Sequence, residues 1–289
     1  MSSSGLSKSS LPFRLGPLFA AIQSARARTD AFFSRFVPAS FALRSIAERH
    51  RLIFYLGHLD AFDANLIGHR VLFCPSVDPS FDRLFAFGID PVDGSLPCDV
   101  PSDWPDADDV RTYNQRVRAV LDAALTSYPS HNEQDVQALC DALSMCIEHR
   151  LMHLETLSYM LPHLPLAAFR PDAIVRVRDQ PGPRSPGYAR TGAPLHARRI
   201  EVPAGQTQIG RQRDDSFGWD NEFGALTTDV PAFAIDARNV THEEFLCFVR
   251  DGGYQERSLW SDADWEWKEQ RGIRLPTRSA GMPIRLRIS

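Results

Sequence analysis

Apolar residues recur three and four positions apart through most of the first 170 residues, which is the spacing of amphipathic helices. Several long helices in succession are typical of an antiparallel bundle. We therefore predict a helical domain over residues 18–170. The segments with the helical pattern are 18–36, 41–70, 107–128 and 132–160.

The segment between the second and third of these helices, residues 74–109, is rich in Pro, Asp and Gly. Such a composition predicts a long loop or a series of short turns. At its end, Asp106 or Asp108 can accept hydrogen bonds from the free N–H groups at the start of the third helix.

The pattern changes after residue 170. Residues 171–199 are dense in Pro, Gly and Arg and are predicted to be a linker, although an ordered connection is also compatible with them. From Ile200 onward, short β-like runs alternate with turns and with one helix that begins near Thr241. Glu244 follows three residues later, which is the spacing of a capping box. We predict a second domain over residues 200–289 and an α+β chain as a whole.

Composition excludes several classes of protein. The formal net charge is -4 with both signs scattered, so no basic stripe is available for a nucleic-acid partner. The apolar runs fall short of the roughly 20 residues of a membrane span. Five widely spaced cysteines without a CxxC pair argue against disulfides and thiolate zinc, and favour a reducing cytoplasm. The N-terminal residues, which have no acid before Asp30, are compatible with a transit peptide, but we expect a solvated tail.

Histidines provide the candidate chemistry. His149 and His153 lie four apart on a predicted helix, so their imidazoles share a face and can bind one ion. Because the same spacing also occurs in ordinary surface or core pairs, a metal site needs a third ligand from another helix. His58 follows Gly57 in apolar surroundings and is predicted to point into the bundle, where its imidazole needs a partner. His69, about 16 Å further along that helix, cannot join the same ion.

Two more polar residues near these histidines are tempting ligands. Glu155 lies about 200° around the helix from His153, so we expect it to point away from the ion, either in a hydrogen bond or in solvent. His50 precedes the predicted core of its helix and is expected to be a cap or a surface residue.

Five motifs occur in a fixed order between about residues 25 and 275. They are "GHLDAFD" with His58, "HRLMHLE" from His149 to Glu155, "GRQRDDSFGWDNEF", "AIDARNVTHEEFLCFVRDGGY" and "LWSDADWEWKE". Together they resemble the sulfoxide synthases of ergothioneine biosynthesis. That family joins an N-terminal DinB-like four-helix bundle to a C-terminal domain of the formylglycine-generating-enzyme type, also called the sulfatase-modifying factor type.

The resemblance implies a mononuclear non-haem iron site, Fe(II), held by three histidines. It also implies an O2-dependent reaction that joins a cysteine-derived thiol to an imidazole carbon of a histidine betaine. Carried over to matching positions, the iron ligands are His58, His149 and His153. The substrate carboxylates need cationic partners. Arginines on the third helix are a hypothesis for this role, whereas a solvated arginine face is the more common arrangement. The candidates on the predicted third helix are Arg111, Arg116 and Arg118.

The chain departs from this family near its end. The family's second domain is longer, and the resemblance stops at about Pro276, after which the tail is rich in arginine. We therefore expect a truncated second domain that lacks part of the active site, a defect that can leave the enzyme inactive. Two rival functions stay open: a DinB-like metal-dependent thiol transferase or hydrolase, and a non-catalytic remnant with structural histidines.

Aromatic residues of the second domain have two candidate roles. The segment Trp219 to Asn221 is compatible with lining a cleft or with stabilising a turn. The run Trp260, Trp265 and Trp267 is expected to pack in the core.

Overall fold

A computed structural model describes residues 11–86, 98–128, 133–176, 199–214, 216–274 and 284–286. The chain divides into two compact units. The first comprises the residues up to Ile174 together with those from Leu286, and the second runs from Val175 to Arg285.

The first unit is helical. Its helices are α1 Leu11–Phe33, α2 Leu52–Asp63, α3 Pro79–Leu84, α4 Ala107–Thr126 and α5 Glu133–Met160. After Asp63, α2 continues as a π-helical segment, Ala64–Val71. Short 3-10 turns flank the helices, and α5 packs most extensively against α1 while α2 packs most extensively against α4.

The four long helices confirm the predicted helical region, but two details of the prediction are wrong. The second helix begins at Leu52 and not near residue 41, because Pro38 opens a short 3-10 turn and the backbone is extended at Arg51. The segment predicted as loop contains α3, whose first N–H groups are capped by the Asp78 carboxylate. Asp106 does occupy the N-cap position of α4, but its side chain makes no capping hydrogen bond.

Helix α2 lies at the centre of the bundle. Every residue from Leu52 to Ala61 is buried, which is why this segment shows no polar face. Its buried residues include the carboxylates of Asp60 and Asp63, at 1% and 0% exposure. Carboxylates at such depth must be paired with cations, since isolated buried charges are very costly.

Arg150 of α5 supplies the central cation. It is completely buried, and its guanidinium lies 2.7 Å from Asp60 Oδ1 and 2.7 Å from Asp63 Oδ2. Arg118 of α4 binds Asp60 at 2.8 Å, and Arg26 of α1 approaches Asp63 at 3.4 Å. The buried charges therefore connect all four long helices.

The second unit contains two antiparallel strand pairs and two short helices, α6 His242–Arg250 and α7 Asp262–Gln270. The described strands along the chain are β1 Ile174–Arg176, β2 Arg199–Val202, β3 Gly205–Ile209, β4 Leu226–Val230, β5 Phe233–Asp236 and β6 Ile284–Leu286. Strand β2 pairs with β5, so that Ile200 faces Ile235, and β3 pairs with β4, so that Thr207 faces Thr228.

The predicted capping box at the start of α6 is confirmed. Thr241 Oγ1 accepts a hydrogen bond from the Glu244 N–H at 3.2 Å, and the Glu244 carboxylate accepts one from the Thr241 N–H at 2.7 Å. Each group satisfies a free N–H of the first turn.

The expected packing of the three tryptophans is wrong for Trp267, which is 50% exposed. Residues two positions apart lie about 200° apart around a helix, so Trp265 and Trp267 point to opposite sides of α7. Trp265 instead covers the ammonium of the fully buried Lys268, which lies 3.9 Å from the ring centroid and 5.9 Å from that of Trp260.

The turn predicted at Trp219 to Asn221 is present. Residues Asp220–Glu222 form a 3-10 turn, and the Glu222 carboxylate accepts a hydrogen bond from the Trp219 N–H at 3.0 Å.

The helical first part and the short strands that follow confirm the α+β class. The finer division into 18–170, a linker at 171–199 and a domain at 200–289 stays a prediction. Residues 177–198 and most of the tail beyond 276 lie outside the described residues. Among the helices that are described, none is long and apolar enough to cross a membrane.

Asp60 makes the stability of the helical unit depend on pH. Burial alone would raise the pKa of Asp60, but Arg150 and Arg118 lower it below its ordinary value. An unfolded chain takes up a proton near pH 3.9, whereas the folded chain does so only at lower pH. The stability that Asp60 contributes is therefore present above about pH 4 and is lost as the pH falls through its folded pKa.

We expect Asp60→Asn to lower the free energy of unfolding at pH 7 by about 3–5 kcal/mol, because it leaves buried guanidinium groups short of a charge. Its stability should also fall less steeply below pH 4 than that of the parent. Urea unfolding followed by circular dichroism at several pH values measures both effects. The control is Asp108→Asn, since the Asp108 side chain is 92% exposed. Parallel pH curves for parent and Asp60→Asn would contradict the assignment.

Candidate metal centre

Three imidazoles converge inside the first unit. His58 comes from α2, and His149 and His153 come from adjacent turns of α5. The Nε2 atom of His149 lies 3.2 Å from Nε2 of His58 and 3.0 Å from Nε2 of His153. Within the described residues, these three form the one group of His, Cys, Asp or Glu side chains close enough to hold a metal ion.

The orientation of His58 is set by a backbone carbonyl. His58 Nδ1 lies 2.7 Å from the carbonyl oxygen of Phe85. Because a carbonyl can only accept, Nδ1 carries the proton and donates it, which leaves the lone pair of the neutral ring on Nε2. That lone pair points at the other two histidines, as a metal ligand requires.

Gly57 makes this hydrogen bond possible. A β-carbon at position 57 would lie 2.6 Å from three ring atoms of Phe85. The Phe85 ring has no exposed surface and packs against Trp104 and Tyr113, so it has little room to move. The absence of a side chain at Gly57 therefore allows the Phe85 ring to approach α2 closely.

Aromatic rings surround the three histidines. His149 stacks on Phe62 with 3.7 Å between ring centroids, and His58 stacks on Phe54 at 4.7 Å. His153 meets the edge of Tyr55 at 5.7 Å. His58 and His149 are buried, while His153 is half-buried, so the cluster is open to solvent on the side of His153.

All three histidines favour the neutral form. Burial lowers the pKa of His58, and burial together with the neighbouring imidazoles lowers that of His149. Burial, together with His58 and the charge of Arg49, lowers the pKa of His153 to about 3. Neutral imidazole is the form that binds a metal, so the site presents ligands without first losing protons.

The arrangement fits a metal ion. Two nitrogens that each lie about 2.1 Å from an ion and subtend a right angle are about 3.0 Å apart, close to the distances seen here. The Nδ1 atoms of His149 and His153 are buried and have no hydrogen-bond partner among the described residues. Three imidazoles suit Fe, Zn, Cu or Ni, so the donor set by itself does not select iron.

The other predicted residues near the motif lie elsewhere. Glu155 is exposed and lines a surface cavity with Arg28 and Ser158, away from the three histidines. His69 lies 3.7 Å from an oxygen of Asp82. His50 is half-buried rather than a surface residue, and its ring lies 4.2 Å from that of Phe54.

The arginines of α4 have partners of their own. Arg111 pairs with Asp108 at 2.6 Å and lies over the ring of Phe41 at 4.9 Å. Arg116 donates a hydrogen bond to the carbonyl of Val77 at 2.8 Å. Arg118 holds the carboxylates of Asp60 and Asp30. A role for Arg111 and Arg116 in substrate binding stays a prediction.

The sequence did not reveal the group that orients His58 or the cation buried beside the ligands. Phe85 acts through its backbone carbonyl, so its side chain carries no signal of the role. Arg150 lies inside the histidine motif itself. Arginine is almost never fully buried without a partner, so its place in this segment could have indicated a buried ion pair. Its partners, 90 and 87 residues earlier, were not identifiable from the pattern.

Comparison with known proteins places the second unit and the whole chain among relatives. Residues 190–285 match the family described as "Sulfatase-modifying factor enzyme 1-like domain". The chain is 29% identical over 216 residues to ergothioneine biosynthesis protein 1 of Neurospora crassa, a match that includes 71% of this chain and 24% of the relative. It is 29% identical over 188 residues to hercynine oxygenase of Mycobacterium tuberculosis, covering 59% of this chain and 37% of the relative.

A shorter stretch is more similar. Over 63 residues the chain is 43% identical to hercynine oxygenase of Mycolicibacterium thermoresistibile, covering 22% of this chain and 14% of the relative. The chain thus spans well under half the length of these curated relatives. Residues 190–285 are thus similar to a sulfatase-modifying-factor type domain, and the chain is homologous to ergothioneine biosynthesis protein 1 and hercynine oxygenase, which confirms its resemblance to the sulfoxide synthases.

Proposed function

We propose that this chain is an Fe(II)-dependent, O2-using protein of the sulfoxide synthase type, which joins a cysteine-derived thiol to a histidine betaine. The observation that carries the proposal is the convergence of three histidine Nε2 atoms in a chain homologous to hercynine oxygenases. His58, His149 and His153 would hold the ion.

Iron is favoured over zinc by the chemistry of the relatives. Zinc fits three imidazoles well but has no redox chemistry, whereas an oxygenase needs a metal that exchanges electrons with O2. Bound iron would supply the activation of O2. Three protein ligands leave other positions of the ion open for small molecules.

The chain's own residues prepare this site. The three neutral imidazoles offer lone pairs, and the Phe85 carbonyl keeps the proton of His58 on the nitrogen that faces away from the ion. The rings of Phe54 and Phe62 cover two of the ligands and exclude water from that side. Small molecules would enter on the side of the half-buried His153.

Arg111 and Arg116 are proposed partners for substrate carboxylates. The Arg111 ion pair with Asp108 is exposed, and exposed pairs contribute little free energy, so a substrate carboxylate can replace Asp108 at small cost.

The cysteines remain unpaired, which supports a reducing, cytoplasmic setting.

The direct test combines metal analysis with turnover. Protein purified without oxygen should contain iron and should consume O2 when a thiol and a trimethylated histidine are both present. Either γ-glutamylcysteine or free cysteine can serve as the thiol in parallel assays. Iron without coupled O2 consumption would contradict the proposed reaction, and thiol transfer without O2 would favour a DinB-like transferase instead.

We expect His149→Ala to abolish metal binding, because His149 lies between the other two ligands and its loss leaves a pair on different helices. Metal content after anaerobic loading and dialysis measures the effect. His163→Ala is the matched control, since His163 is exposed and stands outside the cluster. Equal metal content in the two variants would refute the ligand assignment.

Gly57→Ala should weaken metal binding by about ten- to a hundred-fold, the usual cost of disturbing a group that orients a ligand. The new methyl group displaces the Phe85 ring and with it the carbonyl that binds His58. Competition with a chelator measures the affinity.

The matched control for this variant is Gly16→Ala in α1, where no atom lies within 4 Å of the new β-carbon. Alanine is the better helix former, so the control should keep the parent affinity and lose no stability. A Gly57→Ala protein with the parent affinity would show that Phe85 does not orient His58.

A further inference from the structure

The metal ligands come from two helices that have other main neighbours. α2 packs most extensively on α4, and α5 packs most extensively on α1. The π-helical continuation of α2, Ala64–Val71, also packs against α5. Beside the histidines themselves, the relative position of α2 and α5 depends on the specific contacts that join the two helices there. One of these contacts is the buried guanidinium of Arg150.

Arg150 reaches across to α2 with several hydrogen bonds. Its Nη2 lies 2.7 Å from Asp60 Oδ1, 2.7 Å from Asp63 Oδ2 and 3.2 Å from the carbonyl oxygen of Leu59. Its Nε lies 3.1 Å from Asp63 Oδ2. Its Nη1 donates to Thr29 Oγ1 of α1 at 3.3 Å. Every nitrogen of the guanidinium thus has a partner on a neighbouring helix.

These bonds lie beside the metal ligands on both helices. Arg150 follows His149 directly, so its Cα is displaced by about 1.5 Å along α5. Asp60 follows His58 by two residues, or about 3 Å along α2. The two residues of each pair point to different sides of their helix, so the imidazole contact and the ion pair join α2 to α5 at two separate points of one turn.

Two contacts between α2 and α5, made at different angles around the helices, restrain their relative position more than a single contact does. A single imidazole pair would still allow α5 to rotate or slide against α2, whereas the second contact restrains both motions. A metal site requires this restraint, because ligand atoms must be held within about 0.5 Å of their working positions. A slip of α5 by one residue, about 1.5 Å, would separate the ligands.

This ion pair differs from apolar packing in the fixed geometry of its hydrogen bonds, and not in how much it stabilises the fold. Apolar residues of similar volume often stabilise a core as well as a buried ion pair does. The planar guanidinium, by contrast, accepts only certain positions of its carboxylate partners. A buried arginine between two aspartates beside a metal site therefore suits a role in geometry.

We propose that Arg150 is a positioning residue for the metal centre, which fixes α5 against Asp60 and Asp63 of α2 so that His149 and His153 meet His58. The inference rests on the proposed metal centre, since it concerns the geometry of that site. Arg150 itself touches none of the reacting molecules.

The test is Arg150→Lys, in which the charge is kept and the fork of donors is lost. Arg118 and Arg26 still face Asp60 and Asp63, so the buried carboxylates keep a cation and the variant retains charges enough to fold. Co(II) is the probe, because its absorption spectrum reports coordination geometry. The expected result is an affinity for Co(II) about ten- to a hundred-fold below the parent value, with an altered spectrum. Measurements are made at a temperature where circular dichroism shows both proteins folded.

Arg26→Lys is the matched control. Arg26 is also buried and also pairs with an aspartate of the network, but it lies on α1 and neighbours no ligand. It should lose stability without losing affinity for Co(II). If both lysine variants lose affinity alike, the effect is a general loss of stability and the proposal is overturned.

Asp63→Asn is the second variant, used if Arg150→Lys fails to fold. It weakens the same contact with almost no change of shape, and should also lower the affinity for Co(II). Parent affinity and parent spectrum in a folded Arg150→Lys or Asp63→Asn protein would refute the positioning role alone. A parent protein that binds neither iron nor Co(II) would refute the metal centre itself, and the positioning role with it.

Discussion

The helical unit depends on the neutralisation of two carboxylates inside its central helix. Asp60 and Asp63 have almost no exposed surface, and α2 has no side on which they could reach water. The bundle meets this constraint by directing a guanidinium at them from each of the three other long helices. Because guanidinium and carboxylate groups form hydrogen bonds in a fixed planar geometry, this constraint restricts the arrangements that the four helices can adopt.

The histidines occupy the other side of the same two helices. Where the aspartates face Arg150, His58 faces His149 and His153, and aromatic rings replace charges as neighbours. The two environments have opposite effects on ionisation. The guanidinium groups lower the pKa of Asp60 and keep it charged, whereas burial lowers the pKa of the imidazoles and keeps them neutral. One helix pair thus holds a fully charged network and a neutral ligand set within a few residues of each other.

The histidine cluster indicates which metals can bind, whereas the proposed reaction rests on the comparison with relatives. Three converging imidazoles identify a site suited to several transition metals, and the bundle that presents them does not name a reaction. The match of residues 190–285 to the sulfatase-modifying-factor type and the homology to hercynine oxygenases are the grounds on which an oxygenase is proposed. The proposal of iron rests on that relationship and on the redox demand of O2 chemistry, not on the donor atoms.

Much of this was determined by local sequence. Helical periodicity gave the four long helices, since each residue's side of a helix follows from its number alone. The i, i+4 spacing placed His149 and His153 on one face, and Thr241 with Glu244 capped α6. The order of the motifs indicated the resemblance to the sulfoxide synthases. Each of these signals is contained within a few turns of chain, or is a string of residues that can be compared directly.

Only the tertiary structure decided how distant segments meet. His58 and His149 are 91 residues apart, and the Phe85 carbonyl that orients His58 is 27 residues from it. The start of α2 at Leu52 depended on a turn that apolar periodicity does not report, and the burial of Lys268 between tryptophans depended on packing. The partners of Arg150 lie on helices whose order in space the sequence does not state. Periodicity tells which side of a helix is buried, but not which neighbour buries it, and that choice places the candidate metal centre.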